Sequence, residues 1–405
     1  MWLLFRKMLY SIFDPAIWCV PLFASLICLS WFSDLKIYII ISIIAFWFGM
    51  FCINKGKIHR NMKSFHKTGI LTLEIFTKLV FIIYIFSCLY VFSKNGIPLL
   101  SENPTESKIG VFEEMGILRR ISFIGGIIPI NLCILIFSTK KNRTYIILLL
   151  AYLSVKLLLG AKSSIIGLIF PLYYFMTQSN LNRYDVKTQI IKISKYKKYI
   201  SGTLLLSIII FVIIANKESK IEGEDPLVSI GFRLMEFGDV MLFYNLDNVQ
   251  SVFTDYNLFR LIPDELNGIL GMLRLSSYNE PLGFIMAQEA AGQYLDTIVG
   301  PNIPFPIKGH IYCGFVGGII YSYVIGIIFA KIRRYFFCYR IRNLYTYSII
   351  AFIFFNLMGL IRQSEAFISL IFDYFFYTIP LLLISQILVK YYSRSNYISQ
   401  YKFIS

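Results

Sequence analysis

The sequence predicts an all-α integral membrane protein with about ten transmembrane helices, both termini in the cytoplasm and one large, partly helical loop outside. Three observations carry this prediction. Hydrophobic residues make up 57% of the 405-residue chain and charged residues only 15%, a balance foreign to water-soluble domains. Apolar stretches approaching the twenty residues needed to cross hydrocarbon recur along the chain. Basic residues gather in alternate connections, as the positive-inside rule requires of a polytopic chain. The whole of 1–405 therefore reads as a single polytopic membrane domain.

Candidate spans fall at roughly 16–32, 37–53, 69–92, 121–138, 144–159, 163–178, 200–216, 311–330, 346–361 and 366–389. The fifth and sixth are short and separated only by Gly160, Ala161 and Lys162, so they read as a tight hairpin or a re-entrant pair. Arg6 and Lys7 precede the first apolar run, and no convincing small-residue cleavage site follows, which favours a retained span over a signal peptide. With the N-terminus inside, the inner segments collect most of the 39 basic residues but only two of the 23 acidic ones, Asp14 and Asp185. The net charge of +16 thus reflects topology, and no basic stripe interleaved with aromatics points to nucleic acid. Seven cysteines without a CxxC pair indicate neither a disulfide framework nor a zinc site.

Two outward segments remain, a shorter one at 93–120 and a large one at 217–310. In the large loop Leu227, Ile230, Leu234, Phe237, Met241 and Tyr244 repeat at spacings of three and four, the apolar stripe of an amphipathic helix. Arg233, Glu236 and Asp239 lie off the stripe. Such a helix rests on the membrane or simply closes off the bundle.

Outward arginines run against the positive-inside bias, and their planar fork suits phosphate or carboxylate. The set is Arg119, Arg120, Arg233, Arg260, Arg274 and Arg362. Arg119 and Arg120 also read as span-end anchors, and Arg362 as half of a local pair with Glu365. Lys162 stands in GAKSS at the outer mouth of the sixth span, where a helix N-terminus and a cation together suit phosphate, or where a lysine snorkels to the surface. His310 is the one outward histidine, at the point where the large loop re-enters the membrane, and suits proton transfer near neutrality as well as a purely structural role. Glu236 and Glu289 are carboxylates for the same role. Glu218, Glu222, Glu224 and Asp225 read as a solvated charge run rather than a metal site. Within spans, Glu74 and Lys78 are spaced to pair on one helix face, while Lys156 and Asp373 have no local partner. No residue pattern calls for a cofactor or metal.

The overall plan, with GAKSS and GHIYCGFVGG, resembles the bacterial O-antigen polymerases of the Wzy type, the oligosaccharide repeat-unit polymerases. GAKSS is similar to a Gly-Ser-Arg-Ser-type sequence of that family, with Lys162 in the arginine's place. GHIYCGFVGG is similar to a Gly-Glu-x-Tyr motif followed by Phe-Gly and a further glycine. Gly309, Tyr312 and Phe315 match it, His310 replaces the acid, and Gly317 and Gly318 are shifted. An Arg-x10-Gly pattern runs from Arg260 to Gly271. The resemblance implies a glycosyltransferase of the bacterial inner membrane with its site on the periplasmic side. It would move a growing glycan from undecaprenyl pyrophosphate to a sugar hydroxyl of the next lipid-linked unit. It implies lipid-linked oligosaccharides, membrane lipid and a chain-length regulator protein as partners. In that frame Lys162, Arg233, Arg260, Arg274 and Arg362 would hold pyrophosphate, and His310, Glu236 or Glu289 would serve as base. An O-antigen ligase, a lipid-linked oligosaccharide flippase or other transporter, and a scaffolding membrane protein are the other readings of the same sequence.

Overall fold

The computed structural model describes residues 14–31, 33–53, 67–101, 107–108, 110–112, 115–138, 142–160, 171, 238–277, 279–294, 300–338 and 344–401. In chain order the helices are α1 (Pro15–Ser30), α2 (Lys36–Ile53), α3 (Lys67–Asn95), α4 (Gly116–Ile124), α5 (Ile127–Ser138), α6 (Asn142–Leu158), α7 (Val240–Tyr244) and α8 (Asp247–Val252). They continue with α9 (Leu258–Glu265), α10 (Asn267–Met272), α11 (Leu282–Ala291), α12 (Phe305–Cys338), α13 (Leu344–Phe355), α14 (Met358–Arg362) and α15 (Ser364–Tyr401). Among the described residues there is no strand. Six helical stretches are long and apolar enough to cross a membrane: Lys36–Ile53, Gly69–Leu100, Gly116–Ile136, Phe305–Phe337, Leu344–Arg362 and Ser364–Tyr391. Pro15–Ser30 is apolar but shorter, and the expected spans at 163–178 and 200–216 lie outside the described residues. Contacts divide the chain into unit 1 (Met1–His59, Glu224–Tyr339, Ile353–Phe372) and unit 2 (Arg60–Gly223, Arg340–Phe352, Asp373–Ser405).

Unit 1 is built on α2 and α12. Helix α12 is not one rod, because Gly314 at φ 64°, ψ −165° breaks it into arms 305–313 and 315–338. A straight helix would hold Phe305 and Phe329 about 36 Å apart at 1.5 Å per residue. Both rings instead meet Phe46 of α2, at 5.2 and 5.6 Å between centroids. Near the turn the two arms meet α2 again, since His310 and Phe315 lie 4.8 and 5.3 Å from the Tyr38 ring. The chain therefore reverses at Gly314. A Cβ at Gly309 would come within 3.1 Å of the Gly318 Cα, so the arms touch backbone to backbone. Tyr38 and Phe46 are eight residues apart, so the short arm begins about 12 Å further along α2 than it ends. The sequence reading places the start of a span at residue 311; the structure has a re-entrant helix ahead of that point and the span after it.

Gly326 packs on the Phe46 backbone and Gly49 on that of Tyr323, so small residues bring α2 and the long arm into close contact. Such packing holds helices together where lipid is as apolar as any side chain. Phe48, though exposed, lies beside the same contact, its ring 6.0 Å from that of Tyr323. At the opposite end from the turn, Asp14 caps α1 through the Ala16 N–H at 3.0 Å and accepts from Arg333 Nε at 2.9 and 2.8 Å. Helices α7, α8 and α11 close the other end, with Val240, Met241, Tyr244, Val249 and Met286 joining Phe23, Phe46 and Phe305 in one core.

In unit 2, α3 packs against α5 and α6, with the buried Tyr84 ring of α3 5.3 Å from the buried Tyr152 ring of α6. The expected Glu74–Lys78 pair is present at 2.7 Å. Asp373 is paired with Arg120 at 2.5 Å, and Lys156 donates to the Ser122 carbonyl at 3.0 Å over the Tyr84 ring. Arg120→Ala strands a buried carboxylate and is expected to cost about 3 kcal/mol or more, whereas Arg120→Met with Asp373→Asn should recover most of it. Denaturation in detergent measures both.

Candidate functional site

Lys308 of the short arm is the one lysine among the described residues with a fully buried side chain, at 0% exposure. Its ammonium is 3.0 Å from Glu265 Oε1 of α9, bonds Glu365 of α15, and donates to Ser364 Oγ at 3.1 Å. All three of its protons therefore have acceptors. Glu265 Oε1 also accepts from the Ser364 hydroxyl at 2.6 Å and the Tyr321 hydroxyl at 3.2 Å, and Gln363 donates to Glu365 Oε1 at 3.2 Å. Glu265 Oε2 is buried with no hydrogen-bond partner among the described residues. Three separate pieces of chain meet here: a loop helix, the re-entrant arm and the start of the last helix. A buried charge is tolerated only when paired and hydrogen-bonded, and ionisable groups at membrane depth mark functional sites by default.

From this cluster the polar network runs to the surface. Tyr312 donates to Asp264 at 2.5 Å, and Arg260 Nε lies 3.4 Å from the same carboxylate with its guanidinium 3.7 Å over the Tyr256 ring. The Arg260 side chain is 45% exposed. Asn257 caps α9 by accepting from the N–H groups of Phe259 and Arg260 at 3.1 and 3.3 Å. The Asn267 side chain donates to the Asn279 carbonyl at 2.8 Å and accepts from the Asn279 N–H at 3.0 Å, which fixes the loop behind α9.

His310, half-buried, is held by Tyr244 at 2.9 Å from its Nδ1 and by the edge of Tyr38. Burial pushes the Tyr244 phenol up to about 12, so it stays a neutral hydroxyl at physiological pH. Burial raises the Tyr256 phenol too, against the opposing pull of Arg260. Rings connect the two ends of the site: Tyr244 to Phe253 at 6.4 Å, Phe253 to Tyr256 at 5.0 Å and Tyr256 to Tyr312 at 5.5 Å. An imidazole that can exchange a proton and an exposed guanidinium thus lie along one aromatic seam.

Of the residues singled out in the sequence, His310 and Arg260 lie at the two ends of this seam. Arg362 ends α14, two residues before Ser364, and is half-buried. Arg274 is exposed at the end of α10 in a left-handed conformation, φ 56°. Glu289 sits on α11, where its carbonyl accepts from Asn248 at 2.6 Å; it is not among the groups bonded to Lys308. Lys162, Arg233, Glu236 and the acidic run at 218–225 lie outside the described residues, as does most of the 227–244 stripe, of which α7 carries the end. Lys308, Glu265 and Asp264 are absent from the sequence-based set, because nothing in a linear sequence separates them from ordinary interfacial charges. Among the described residues no group of three or more His, Cys, Asp or Glu side chains is placed to hold a metal ion.

The described residues, all-helical with six stretches long and apolar enough to cross a membrane, have the build of a multi-pass membrane protein. Its distinguishing feature is a re-entrant helix clamped by a buried lysine. Comparison with protein-family models, curated proteins and solved structures finds no match.

Proposed function

We propose that this protein polymerises lipid-diphosphate-linked oligosaccharide units at the outer face of the bacterial inner membrane, within a ten-span topology whose termini are cytoplasmic. The observation that carries the reading is the seam itself: rings run from His310 through Tyr244, Phe253 and Tyr256 to Tyr312 and Arg260, where the large loop lies on the re-entrant arm. In the reaction, the bond between the donor's anomeric carbon and its phosphate oxygen breaks as a bond to the acceptor hydroxyl oxygen forms. The acceptor's proton goes to a base, and the lipid diphosphate leaves as an anion. His310 suits the base: with a proton on Nδ1 donated to the Tyr244 oxygen, Nε2 is the nitrogen that takes the acceptor proton. Arg260 suits the leaving diphosphate, since its charge is exposed and its plane is fixed by Tyr256.

A second reading, a lipid-linked oligosaccharide transporter, draws on the Lys308–Glu265–Glu365 cluster, because buried ionisable groups also mark ion routes. One experiment separates the two. The full chain in liposomes receives lipid-diphosphate oligosaccharide and no nucleotide sugar, and products are resolved by length. A ladder is expected, slowed about 10²–10⁴-fold in His310→Ala and weakened in Arg260→Ala without rescue by Arg260→Lys. Substrate that crosses the bilayer unchanged in length would overturn the polymerase in favour of the transporter.

A further inference from the structure

We propose that the outward face of α9 is a lipid-contact surface, with Leu258, Phe259 and Ile262 seated in membrane hydrocarbon although they belong to the large loop. These side chains are 58%, 88% and 62% exposed, an apolar face too large to leave in water without reason. The helix's polar side is already engaged: Arg260 with Tyr256, Asp264 with Tyr312, and Glu265 with Lys308 and Tyr321. The apolar side is thus held outward by bonds that point inward.

Depth identifies the occupant. Tyr321, which bonds Glu265, stands seven residues past the turn at Gly314, about 10 Å along the long arm. Exposed apolar side chains on that arm begin immediately after the turn, at Phe315, Val316 and Ile320. The lipid-facing surface of a spanning helix therefore already extends above the level at which α9 is fastened. A loop helix tied that far down, with polar groups inward and Phe259 outward, continues this surface, as an amphipathic helix does in the boundary of a bilayer. Lipid chains are the partner that matches an exposed apolar face at this level.

The test places p-benzoylphenylalanine at Phe259, Ile262 and, as a control on the same loop, exposed Ser251 of the full chain in liposomes containing radiolabelled phospholipid. Lipid adducts at 259 and 262 and none at 251 are expected. In parallel, a nitroxide at 259, in a chain with its seven cysteines replaced, should collide severalfold more with oxygen than with a water-soluble nickel chelate. Preferential access of the chelate to 259 would overturn the proposal, as would adducts only to a second copy of the chain. Neither readout depends on the reaction the protein catalyses.

Discussion

Replacing Lys308 with methionine is expected to lower the stability of the folded protein by about 3–5 kcal/mol. The ammonium is fully buried and joins Glu265, Glu365 and Ser364. Removing it leaves two carboxylates facing each other in a region with little access to water, and no local change restores a partner. The loss comes mainly from the stranded charges, so it should shrink when they are neutralised with it. Lys308→Met combined with Glu265→Gln and Glu365→Gln should recover most of the stability, because a buried ion cluster is often matched by a neutral, well-packed replacement. Chemical unfolding in detergent, followed by helix content, measures both variants. Similar losses in the single and triple variants would mean that packing of the lysine stem, not its charge, holds the three segments.

Gly314→Val should be comparably severe, by a different route. With φ 64° and ψ −165°, Gly314 occupies backbone space open essentially to glycine alone. Forcing a β-branched residue there costs about 1–3 kcal/mol in local strain. The chain relieves it by opening the turn, which pulls the short arm away from Gly318 and α2. His310, Lys308 and Tyr312 all ride on that arm, so the effect on function should exceed the effect on stability. Gly69→Ala is the control, since a Cβ there meets nothing within 4 Å and Gly69 is helical; it should be neutral or slightly stabilising. Equal loss of activity in the two variants would remove the turn from the account.

Much of the helical scaffold is legible in the sequence, because an apolar helix announces itself by length and composition. The 37–53 span and the i,i+4 pair of Glu74 with Lys78 appear as expected, both being set by neighbours in sequence. What sequence does not carry is set by distant neighbours. Glu365, which reads locally as a partner for Arg362, is also bonded by Lys308 from 57 residues away in a contact no local pattern shows, and Asp373 finds Arg120 at a separation of 253. The reversal at Gly314 is hidden for another reason. The short arm carries Pro306, Lys308 and His310, so ahead of the span it looks like the end of a polar loop and not like a helix that folds back. The glycines of GHIYCGFVGG were visible, but a backbone angle was needed to tell a packing glycine from a turning one. His310 and Arg260 could be named from their chemistry and side of the membrane, yet the aromatic seam joining them could not.

On the proposed function, the seam between α9 and the re-entrant arm is where the lipid-linked glycan binds. Photo-crosslinking tests it most directly, with p-benzoylphenylalanine in place of Tyr256, beside Arg260 and Tyr312, and in place of Ile147, an exposed residue of unit 2. Radiolabelled lipid-diphosphate oligosaccharide is the probe and unlabelled substrate the competitor. A competable substrate adduct is expected at 256 and none at 147. A protein that lengthens the glycan while giving no substrate adduct at 256, or giving the same adduct at both positions, would contradict it.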